Sequence, residues 1–171
     1  NNLGKLYYNV GIAQQKEGDT EAAIGSFRKA LKVKPNLAEA HFNIANAQKK
    51  QGDLEAAIDS YRQALNVKSD YLDAYNNLAI ALHNKGELKA AIDNYERAIK
   101  IDPDYADAYN NMGSALSDKG EIDAAIDCYE RALNINPDFA EAYNNLLLLL
   151  PSYAPPKEAS SNNILKVNQA I

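Results

Sequence analysis

The chain repeats itself every 34 residues. Residues 40–71, 74–105 and 108–139 superpose without a gap. The same register extends back to residue 4, giving units 4–37, 38–71, 72–105 and 106–139 and a half-unit over 140–150. A unit this short cannot enclose a core alone. Its apolar face has to be covered by the next copy, so the period dictates a stack in which each unit touches its neighbours in sequence.

Each unit holds two helical patterns split by a punctuating pair: Gly18-Asp19, Gly52-Asp53, Gly86-Glu87 and Gly120-Glu121. Glycine accepts the left-handed backbone that ends a helix, and an acid after it favours the start of the next. Between units the turns read Lys34-Pro35-Asn36, Lys68-Ser69-Asp70, Asp102-Pro103-Asp104 and Asn136-Pro137-Asp138. Proline ends one helix there, and the following Asn or Asp is expected to cap the next. Small residues recur where helices must approach closely: Gly11, Ala45, Ala79 and Gly113 on first helices, and Ala30, Ala64, Ala98 and Ala132 on second helices. Large ones recur between them, with Tyr7, His41, Tyr75 and Tyr109 on first helices and Phe27, Tyr61, Tyr95 and Tyr129 on second helices. Small facing large is the pattern of a helical hairpin repeated along a stack.

This constellation closely resembles the tetratricopeptide repeat over residues 4 to about 150, with Ser69 where the family has proline and His41 where it has an aromatic residue. The resemblance implies an all-α fold: a right-handed superhelical solenoid of helix-turn-helix repeats whose first helices line a concave face. It also implies a protein or peptide ligand held in that groove, by an adaptor or scaffold without catalysis.

Asparagine recurs at the sixth position of the first helices, as Asn9, Asn43, Asn77, Asn111 and Asn145. Helix propensity does not select it there, because its side chain competes for backbone hydrogen bonds. Two readings stand. A carboxamide can both donate to and accept from a peptide group, which makes the ladder a candidate peptide-binding site. Alternatively, each Asn bridges neighbouring helices or was copied when the repeats duplicated. The ladder resembles that of the tetratricopeptide superhelix in O-linked GlcNAc transferases, which implies contact with a substrate backbone and, as an alternative function, the recognition arm of a larger enzyme such as a glycosyltransferase. Tyr8, Phe42 and His83 complete the candidate site. Tyr8 and Phe42 make the N-terminal half of the groove more apolar, while Asn76, Asn110 and Asn144 are expected to make the C-terminal half polar. Charge is graded along the same side, from Lys5, Lys16, Lys49 and Lys50 to Asp73, Asp107, Asp118 and Glu141, which either orients a ligand or simply keeps a helical surface soluble. Chaperone-tail-binding relatives grip a terminal carboxylate with lysines, asparagines and an arginine. The equivalent positions here are Tyr8, Ile12, Asn43, Asp73 and Asn77, so that ligand is not expected.

Other classes of function have little in the sequence to carry them. The formal net charge of -5 is wrong for a phosphate-backbone partner, so no nucleic acid is expected. The longest apolar run, Leu146 to Leu150, is far below the roughly 20 residues that span a bilayer, so no membrane insertion is expected. Phosphate-loop, zinc-protease, nucleophile-elbow and paired-cysteine motifs are missing, and neither a catalytic centre, a cofactor nor a metal is expected. A cytoplasmic setting fits a chain with a single cysteine, Cys128, which is expected to be partly exposed on a second helix. Nine of the 11 tyrosines, Tyr143 among them, sit at repeat-equivalent packing positions.

The C-terminal region is read as a Pro- and Ser-rich linker over 151–161 followed by a short capping helix or arm over 162–171, in which Ile164, Val167 and Ile171 share a face. If the leucines at 146–150 stay uncovered, a homo-oligomer through that end is expected.

Overall fold

The computed structural model describes residues 2–149, all of it helix and turn. Four hairpins follow one another: α1 (Asn2–Glu17) with α2 (Thr20–Val33), α3 (Ala38–Lys50) with α4 (Leu54–Val67), α5 (Leu72–Asn84) with α6 (Leu88–Ile101), and α7 (Ala106–Lys119) with α8 (Ile122–Ile135). A further helix, α9 (Ala140–Leu149), packs on α8. The linker and capping helix expected beyond it lie outside the described residues.

Within each hairpin the turn is set by a glycine at positive φ, +84° to +86° at Gly18, Gly52, Gly86 and Gly120, where a side chain would be strained. The acids after these glycines divide into two groups. Asp19 and Asp53 accept hydrogen bonds from the backbone N–H of Ala22 and Ala56, at 3.0 and 3.1 Å. Glu87 and Glu121 occupy the same place and make no such cap. Between hairpins the expected caps are not formed. The residues that precede α3, α5 and α7 are Leu37, Tyr71 and Tyr105, without a side-chain cap. The position serves packing instead: the Tyr71 ring lies 4.9 Å from that of Phe42. The polar turn residues stabilise the turn itself, Asp102 and Asn136 accepting from the backbone N–H of Asp104 and Asp138.

The core is the small-large interlock carried through the stack. Phe27, Tyr61, Tyr95 and Tyr129 are buried on the even helices. Each is worth about 3 kcal/mol of apolar burial at most. They lie against the small residues of the odd helices, and at Gly113 an added Cβ would stand 2.7 Å from the Tyr129 ring. Each even helix also packs on the first helix of the next hairpin, so the hairpins join into one continuous solenoid. Along that solenoid α3 touches α5, α5 touches α7 and α7 touches α9, whereas consecutive even helices are not paired in this way. The odd layer is therefore the shorter, inner one, and the solenoid curves around it. No described helix is long and apolar enough to cross a membrane.

Candidate functional site

The curvature turns the odd helices into the wall of a groove, and residues 34 apart line up along it. The asparagine ladder lies on this wall, but its members do not simply project into open space. Asn43 donates from Nδ2 to the Tyr8 hydroxyl at 3.0 Å, Asn111 to Asn76 Oδ1 at 3.2 Å, and Asn145 to Asn110 Oδ1 at 3.0 Å. Each rung joins the sixth position of one repeat to the fifth position of the repeat before, 35 residues back. At the remaining joint the fifth position is Phe42, which has no acceptor. Asn77 there accepts instead from Lys49 Nζ at 3.3 Å, and its amide N–H groups have no partner among the described residues. Asn9 is exposed and, among the described residues, has no repeat before it and no partner.

These rungs correct one expectation. Asn76 and Asn110 do not line the groove surface: they are buried, because the following repeat covers them and uses them as acceptors. Asn110 also donates to Glu141 Oε1 at 3.2 Å. Asn144 is exposed. A pairing of polar fifth and sixth positions 35 residues apart was visible in the sequence, but only helix adjacency gives it meaning.

The other candidate residues frame the ladder. Tyr8 is half-buried, with its ring 5.6 Å from Phe27. Phe42 bridges Tyr61 and Tyr71, at 5.8 and 4.9 Å between centroids. His83 Nε2 shares a 2.7 Å hydrogen bond with Asp118 Oδ2 of the next repeat. The groove therefore has an aromatic half and a carboxamide half, divided at the joint that lacks a rung.

Its electrostatics differ from a simple gradient. Glu39, Asp73, Asp107 and Glu141 hold the second position of successive repeats and form an exposed acidic column, whose first member the gradient reading left out. Burial first, and then Glu39 and Asp73, push the Tyr71 hydroxyl up to about 12; burial and then Asp107, Asp73 and Asp102 do the same at Tyr105. Burial lowers the Lys49 ammonium. Beneath the wall, the Tyr61 hydroxyl bonds Asn46 and that of Tyr129 bonds Ser114. Ile80 replaces these polar partners in the third repeat, and the Tyr95 hydroxyl is buried with none among the described residues.

Cys128 is buried on α8, not partly exposed, and burial, followed by Asp127 and Glu96, raises its thiol to about 11. Tyr143 is also corrected: it is exposed, because no second helix covers α9 among the described residues. A cleft on the outer side, between α4 and α6, is lined by Arg62, Asn66, Asp93 and Arg97 and was not anticipated from the sequence.

Fold and groove together define a helical-hairpin solenoid with a ladder-lined inner face, the architecture of a protein-interaction scaffold. Comparison with protein families matches residues 15–52, 46–86 and 81–120 as "TPR repeat" and residues 106–139 as "Tetratricopeptide repeat". The chain belongs to the tetratricopeptide-repeat family. Among solved structures, MamA superposes with a TM-score of 0.79 at 32% identity, over 84% of this chain and 84% of that one. A MamA from Desulfovibrio magneticus RS-1 superposes at 0.84 with 18% identity, over 99% and 97%. YrrB, described as a TPR protein with an unusual peptide-binding site, superposes at 0.75 with 22% identity, over 82% and 73%. No curated protein sequence matches the chain.

Proposed function

We propose that the protein is a non-catalytic adaptor that holds an extended protein segment along its concave face. The carrying observation is the geometry of the rungs. Each rung uses one amide N–H of its asparagine and fixes the orientation of the carboxamide. The second N–H and the Oδ1 of Asn43, Asn111 and Asn145 stay unpaired among the described residues. One donor and one acceptor, repeated along the groove at constant spacing, match the backbone of an extended peptide. Bridging helices and binding a ligand are thus compatible roles for the same side chain, and pre-orientation lowers the ordering cost of binding. YrrB, with its peptide-binding site on the same fold, supports the reading.

Tyr8 and Phe42 offer apolar contact to one end of the segment, and Asn77, Asn111, Asn145 and His83 offer polar contact to the other. The acidic column opposes a free terminal carboxylate, so the groove takes an internal or basic stretch of chain rather than an acidic tail. Affinity is expected to be roughly micromolar, about 8 kcal/mol.

Asn77 gives the cleanest test, since it forms no rung whose loss would disturb the fold. Peptides selected from a random library on the immobilised chain should bind Asn77→Ala at least about tenfold more weakly, the worth of one good hydrogen-bonded contact. Arg97→Ala, on the outer side, should leave binding unchanged. Equal affinity for the Asn77 variant, or loss with Arg97→Ala, would move the site off the ladder.

A further inference from the structure

The two ends of the solenoid break the small-large rule of its interior, and they do so in the same direction. At the third position of the repeats Ala40, Ala74, Ala108 and Ala142 are completely buried beneath the preceding hairpin. The first repeat carries Leu6 there, 57% exposed. At the seventh position Ile44, Leu78 and Leu146 are buried, whereas Val10 is 39% exposed. Leu3, Leu6 and Val10 thus form an open stripe on α1. At the other end, Leu147 stands where Gly11, Ala45, Ala79 and Gly113 receive the aromatic ring of a second helix, and it is 56% exposed beside Leu148 at 75%. Leu6 would hold a preceding hairpin away, and Leu147 would collide with the ring of an ordinary second helix.

Charge separates the ends as well. Residues 4–37 carry six Lys and Arg against three Asp and Glu, whereas residues 106–149 carry two against eight. Like ends repel and unlike ends attract.

We propose that this chain assembles head to tail, the leucine face of α9 in one copy docking on the leucine stripe of α1 in the next. The joint is heterologous and does not close on itself, so copies add in a row and the concave faces follow one another along it. Leu3 and Leu6 share a depression with Asn9 at the end of the groove, but the joint uses none of the rungs, and it stands or falls independently of peptide binding.

Sedimentation velocity of the full chain over a concentration series tests it, with Leu6→Gln/Val10→Gln blocking one end and Leu147→Gln/Leu148→Gln the other. All four side chains are exposed, and circular dichroism verifies that helix content is kept. The expected result is a wild-type mass that climbs from 18.8 kDa through the dimer and beyond with concentration, while either variant alone stays at 18.8 kDa. An equimolar mixture of the two variants should form a dimer and stop there, since it contains one good joint. Added salt should weaken association. A wild-type chain that remains at 18.8 kDa up to about 0.5 mM overturns the proposal. So does a single variant that still dimerises, which would mean like ends pair, or association that salt leaves unchanged.

Discussion

Tyr95 shows how one neighbour decides the worth of a side chain. Its ring fills the third repeat as Tyr61 fills the second, yet its hydroxyl has no hydrogen-bond partner among the described residues, Ile80 holding the position from which Asn46 bonds Tyr61. A buried hydroxyl without a partner costs about 1–3 kcal/mol. Tyr95→Phe is therefore expected to raise stability by about 1 kcal/mol, and Tyr61→Phe to lower it by a similar amount by stranding Asn46. Urea denaturation of both proteins measures the contrast, and equal losses would mean that Tyr95 has a partner. Cys128 is a second case. With its thiol raised from 9.0 to about 11, it should react with iodoacetamide at pH 8 about a hundredfold more slowly than an ordinary thiol, and denaturant should remove the protection.

At the scale of the helix, the repeats serve as controls for one another. Asp19 and Asp53 cap α2 and α4, while Glu87 and Glu121, one methylene longer, leave α6 and α8 without a cap. Asp53→Ala should cost about 1 kcal/mol and Glu121→Asp should gain up to about that much, both read from thermal or urea midpoints. The interlock can be tested in the same way. Gly113→Ala places a Cβ 2.7 Å from the Tyr129 ring, yet the second and third repeats already pair Ala45 with Tyr61 and Ala79 with Tyr95. The strain is offset by the better helix propensity of alanine, and the net change should stay within about 1 kcal/mol of zero. Gly113→Leu has no such precedent inside the stack and should cost about 3 kcal/mol.

Over the whole molecule, buried and half-buried phenols tie stability to alkaline pH. The hydroxyls of Tyr71, Tyr105 and Tyr129 are pushed up to about 12 in the folded chain from the 10.0 of an ordinary tyrosine, with burial the first cause in each. A raised pKa means that the folded chain holds protons the unfolded chain releases. Their contribution is complete below pH 10 and is lost as pH rises towards 12. The urea midpoint should fall steadily across that interval, and the fall should shrink when Tyr71 and Tyr105 are replaced by Phe. A flat midpoint would mean that these hydroxyls ionise freely in the folded state.

Sequence alone determined the hairpins and their order. A strict period, glycines at the turns and small residues opposite aromatic ones are local or nearest-neighbour signals, and a solenoid has almost no other kind of contact. It also determined that Asn9, Asn43, Asn77, Asn111 and Asn145 form a column, since a constant spacing puts them on one face. Only the tertiary structure decided what that column touches. Asn76 and Asn110 are buried acceptors because the next repeat lies across them, and Asn77 is left without a rung because that same packing sets Phe42 opposite it, a relation fixed by how far the solenoid turns per repeat. The same holds for Tyr95, whose missing partner depends on what stands opposite it in three dimensions. Periodicity tells which residues share a face, and the packing angle between repeats tells which of them touch.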